Sequence, residues 1–91
     1  MTKTEQTINT ALAGVREELA RHRAAAGKVS NPDQLERFEA ELLGMLEDLR
    51  QGEFRPERTG LGHIVADSWP LKSELANSVC AAVEAYKRVA I

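Results

Sequence analysis

Residues 31–52 read NPDQLERFEAELLGMLEDLRQG. Asn31 is a favoured N-cap residue, because its side-chain oxygen can accept one of the backbone N–H groups that a first helical turn leaves unpaired. Pro32 suits the next position, where no N–H is needed. Asp33 and Gln34 follow in the first turn, where a carboxylate complements the positive end of the helix dipole. Leu35, Phe38, Leu42, Met45 and Leu49 then recur three and four apart, the stripe of an amphipathic helix. Leu43 and Leu46 widen that stripe, which predicts that the helix packs against two neighbours. Gly52 ends it, since glycine readily takes the left-handed conformation that closes a helix.

Toward the N-terminus, a helix is expected from about Thr2 to Ala26. Thr2 and Glu5 have the spacing of a capping box. Ile8, Leu12, Val15, Leu19, His22 and Ala26 form one narrow seam near the coiled-coil period, and Gly27 is the natural stop. The short link to Pro32 favours an antiparallel neighbour. Toward the C-terminus, Glu53–Gly62 reads as a loop, with Pro56, Gly60 and Gly62. Leu61, Ile64 and Val65 fit one side of a helix of one or two turns, ended by Pro70. Asp67 or Ser68 would cap a last helix that Pro70 starts. Its apolar face would be Leu71, Leu75, Val79, Ala82, Val83, Tyr86 and Val89, and it would run to the end of the chain.

The expected architecture over residues 1–91 is therefore a single all-α domain, a small three-helix bundle with a short extra helix between the second and third long helices. Composition agrees. Ala, Leu, Glu and Arg dominate and all favour helix, whereas β-branched and aromatic residues are scarce. A helical hairpin completed by dimerisation is the competing arrangement, because the first helix has so narrow a seam.

Ninety-one residues with a net charge of −2 make no case for nucleic-acid binding through bulk charge. The charge is uneven, however. Residues 1–30 carry five basic and three acidic residues, 31–52 two and six, and 53–91 five of each. Arg16, Arg21, Arg23 and Lys28 make the first helix basic, and Glu36, Glu39, Glu41, Glu47 and Asp48 make the second acidic. Intramolecular complementarity is the expected use. A helix-turn-helix reading fails on the second helix, whose carboxylates would be repelled by phosphates. One cysteine, Cys80, excludes an internal disulfide. No apolar run is long enough to cross a bilayer and no secretory signal is visible, so a cytoplasmic location and no membrane partner are expected.

Three functional readings follow. The first is a small protein-binding or regulatory module (adaptor, inhibitor or immunity-like) without catalysis. Its docking patch would be Phe54, Arg55 and Arg58, with Trp69 at the edge, because aromatic residues and arginine dominate interface hot spots. Phe54 could equally fold back over the bundle. The second is a hydrolase-like enzyme using His63, Asp67 and Ser68. His63 and Asp67 lie four apart and would share a helical face, but nothing in the sequence supplies an oxyanion site. The third is a structural homodimer. Gly60-Leu61-Gly62 lacks the remainder of a phosphate loop, and His22, His63 and Cys80 are scattered without ligand-pair spacing. No cofactor or metal is expected. His22 reads as a satisfied seam residue and Cys80 as a packed small hydrophobe.

Overall fold

A computed structural model describes residues 2–27, 29–69 and 73–89. Among these the chain forms four α-helices and no strand: α1 (Lys3–Arg23), α2 (Pro32–Gln51), α3 (Leu61–Ser68) and α4 (Glu74–Val89), with a 3-10 helix at Pro56–Gly60 directly before α3. This is the small helical bundle with a short extra helix that the periodicity predicts.

The helix starts follow the sequence signals. Thr2 Oγ1 accepts the Glu5 N–H at 3.1 Å, and Asn31 Oδ1 accepts the Gln34 N–H at 2.9 Å. Gly52 sits at φ 70° and closes α2. The end of α1 differs from expectation. The helix stops at Arg23, and Ala25, at φ 60°, takes the left-handed position expected of Gly27. The Ala25 N–H donates to the His22 carbonyl and the Ala26 N–H to the Arg21 carbonyl, the paired bonds of a Schellman motif. Gly27 has a different use: a Cβ there would collide with the His22 ring. That ring turns over the glycine and bonds the Val29 carbonyl at 2.8 Å. A carbonyl only accepts, so Nε2 carries the proton.

Helix α1 packs against both α2 and α4. Arg16 pairs with Glu39 and Arg23 with Glu36, so α1 and α2 run antiparallel. Leu75 overlies Gly14, level with the middle of α2, and Tyr86, about three turns further along α4, bonds Asp48 near the far end of α2. Helices α2 and α4 are therefore parallel to each other. Parallel elements need a return connection, and residues 53–69 provide it. They leave the C-terminal end of α2 beside Tyr86 and bring Trp69 back to Phe38 and Gln34 at its start.

The expected Glu53–Gly62 loop is thus mostly helical. Pro56 fixes φ at the start of the 3-10 turn, Arg58 N–H donates to the Arg55 carbonyl, and Thr59 Oγ1 donates to the Pro56 carbonyl at 2.6 Å. Gly60 and Gly62 are not turn residues. Gly60 has ordinary right-handed dihedrals, and Gly62 faces Val83 of α4, where a Cβ would make only ordinary contact. Asp67 and Ser68, expected as caps of the last helix, belong to α3. The residue that caps α4 is Ser73, its Oγ accepting the Ala76 N–H at 3.3 Å. Pro70 and Leu71, expected to begin α4, lie outside the described residues.

The core joins Ile8, Leu12, Val15 and Leu19 of α1 to Leu35, Phe38, Leu42 and Met45 of α2 and Val79, Val83 and Tyr86 of α4, all essentially without exposure. Leu61, Val65 and Trp69 close one side. Leu43 and Val89, expected on apolar faces, are exposed. The return segment is reached from α2 by Phe38 and by a polar flank, Gln34, Glu41 and Asp48, and not by Leu43, whereas Leu46 is partly buried against the core.

Candidate functional site

At the C-terminal end of α2 a buried carboxylate gathers the only feature of the described residues that joins several charged groups to an exposed aromatic. Asp48 lies three residues after Met45, so helical geometry turns it toward the interior, and it is 3% exposed. An unpaired charge there would be strongly disfavoured. Tyr86 donates its hydroxyl proton to Asp48 Oδ2 at 2.7 Å. Arg58 Nε donates to the same oxygen at 2.6 Å, and Arg55 Nε stands 3.5 Å from Oδ1. A second Arg58 nitrogen reaches Glu41 at 3.1 Å. The Arg58 guanidinium fits only because residue 44 is glycine; a Cβ there would strike it.

Burial alone would raise the pKa of Asp48. The hydrogen bonds from Tyr86 and Arg58 and the charges of Arg58 and Arg55 outweigh it, and the carboxyl is held below its ordinary value. Tyr86 moves up, first because it is buried and then because its neighbour is an anion. Burial opposes the charge of Arg58, but its bonds to Asp48 and Glu41 prevail and raise its pKa.

Phe54 and Arg55 sit on the outside of this cluster. The Arg55 N–H donates to the Tyr86 hydroxyl oxygen at 2.7 Å, and the Phe54 ring lies 4.9 Å from that of Tyr86. Phe54 folds back and still keeps 37% of its surface in solvent. The Arg55 side chain is half exposed, whereas that of Arg58 is largely covered. Of the four residues expected to form a docking patch, Phe54, Arg55 and Arg58 are therefore neighbours. Trp69 is not one of them. It is buried, stacked on Phe38 with its Nε1–H donated to Gln34 at 2.7 Å, about 15 Å along α2 from Asp48.

Asp48 and Glu41 escape a reading of the sequence because each looks like one more acid on an acidic helix. The available signal is register, since Asp48 shares the flank of the Met45 stripe.

Of the three residues of the hydrolytic reading, His63 and Asp67 have described side chains. His63 and Asp67 are both exposed and no hydrogen bond joins them. His63 instead lines a pocket of about 220 Å³ with Cys80, Glu84 and Lys87, and Asp67 is not part of it. Among the described residues no three of His, Cys, Asp and Glu come together as metal ligands, and no helix is long and apolar enough to cross a membrane. The basic end of α1 is largely neutralised: Arg16 and Arg23 pair with α2, and Arg21 with Glu17 and Glu18.

No family model matches the chain, and neither the curated proteins nor the solved structures contain a match.

Proposed function

We propose that this chain is a small non-catalytic binding module, of the adaptor, inhibitor or immunity-like kind, that docks a protein partner through Phe54 and Arg55. One observation carries the reading. An aromatic ring with a third of its surface in solvent stands beside a half-exposed arginine, on backbone that is itself tied to the core through Tyr86. Aromatic and arginine side chains dominate interface hot spots, and a contact segment fixed in advance loses little entropy on binding. Arg58, held beneath by Asp48 and Glu41, positions this segment and does not itself face a partner. The enzyme alternative has less support, because His63 lines a pocket to which Asp67 does not contribute.

The test is affinity capture from native lysate with the wild-type chain and a Phe54→Ala/Arg55→Ala variant, alongside sedimentation of each alone. A protein retained by the wild type and lost by the variant supports the reading. Partners bound equally by both would place the docking face elsewhere, and a wild-type dimer that the variant abolishes would identify the partner as a second copy.

A further inference from the structure

Residues 53–60 contribute nothing to the core. Glu53–Glu57 are exposed, and the 3-10 helix buries no residue. Yet both ends of the segment are fixed, at Gly52 by the close of α2 and at Leu61 by a buried leucine. Between those anchors the attachments to the bundle are few, and the polar ones converge. Arg58 bonds Asp48 directly, and Arg55 reaches it both through its guanidinium and through Tyr86. Outside that convergence lie the Phe54–Tyr86 ring contact, the Arg58–Glu41 bond, the Glu53 N–H bond to the Asp48 carbonyl and the packing of the 3-10 helix beside α4.

We infer that residues 53–60 form a strap latched by the single carboxylate of Asp48, able to open as one unit while α1, α2 and α4 stay packed. Segments with few buried apolar contacts and exposed backbone bonds are those that open locally below the global unfolding free energy. Among the described residues the seventeen buried hydrophobic residues of the core include none from the strap. Opening would withdraw Phe54 from Tyr86 and present the Tyr86 ring and the Asp48 carboxylate to solvent. The strap carries Phe54 and Arg55, so its opening would withdraw the proposed docking face; the exchange experiment reads the chain alone and tests the latch whether or not that face binds a partner.

Amide hydrogen exchange followed by mass spectrometry at pH 7 tests it, on the wild type, on Asp48→Asn and on Arg58→Met. The neutral amide introduced by Asp48→Asn keeps the size of the side chain but removes the charge that strengthens the arginine bonds. Exchange over residues 54–60 is expected to be faster than that of α1 already in the wild type. It is expected to rise on the order of tenfold or more in Asp48→Asn while staying faster than that of α1, and to rise by less in Arg58→Met, where Tyr86 and Arg55 still hold the carboxylate. Unchanged exchange over 54–60 in both variants would overturn the inference. So would wild-type protection of 54–60 equal to that of α1, or loss of helical circular dichroism in Asp48→Asn, because the segment would then open only with the global fold.

Discussion

At Asp48 a charge is kept inside the protein by partners instead of by neutralisation. Removing the partners' anchor with Asp48→Ala leaves Arg58 and the Tyr86 hydroxyl beside a cavity. Breaking a buried pair costs about 3–5 kcal/mol, but Arg58 keeps Glu41, so a loss of about 2–3 kcal/mol is expected in urea denaturation at pH 7. The pH dependence has a defined sign. The folded pKa of Asp48 lies below its ordinary value, so its contribution is complete above about pH 5 and is lost as pH falls through the carboxylate range. For Tyr86 the folded pKa is raised, so its contribution is full below about pH 10 and fades as pH rises beyond. Denaturation midpoints between pH 2 and 7 should fall less steeply in Asp48→Asn than in the wild type; parallel curves would contradict the assignment. Asp48 also marks where sequence ceases to be informative. A carboxylate among several others on α2 carries no mark of burial beyond its register with Met45, and its arginine partners lie seven and ten residues away in what reads as a loop.

At the level of elements, caps decide the ends. Asn31 is legible because its role depends on neighbours in sequence, and Asn31→Ala should cost about 1 kcal/mol. The end of α1 departs from expectation because a glycine is present and the chain does not use it for the turn. Ala25 takes the left-handed position at φ 60°, a conformation that disfavours a Cβ, while Gly27 yields its space to the His22 ring. Ala25→Gly should therefore stabilise the protein by roughly 0.5–1 kcal/mol in thermal or urea unfolding, and Gly27→Ala should destabilise it by displacing His22. An Ala25→Gly variant less stable than the wild type would contradict the Schellman geometry. The same logic explains residues 53–62. Proline and glycine signal a loop, yet proline also starts helices, and Gly60 and Gly62 here sit in right-handed helical turns.

For the whole molecule, the three apolar stripes are enough to give the class, because burying one face of each helix in a chain this short leaves little choice but a bundle. The directions are not legible. That α2 and α4 run parallel depends on contacts far apart in sequence, Asp48 with Tyr86 and Gln34 with Trp69, and it makes the short third helix a return path. The result is an elongated body, 39 × 23 × 20 Å, with the Phe54 segment at one end and Trp69 at the other. Nuclear Overhauser spectroscopy on the intact chain reads both ends at once, since each involves an aromatic pair. Cross-peaks between the Phe54 and Tyr86 rings and between the Trp69 and Phe38 rings are expected together. Cross-peaks from Trp69 to Tyr86 or Phe54 would mean that the return path does not run the length of α2, and would contradict the arrangement on which the site is built.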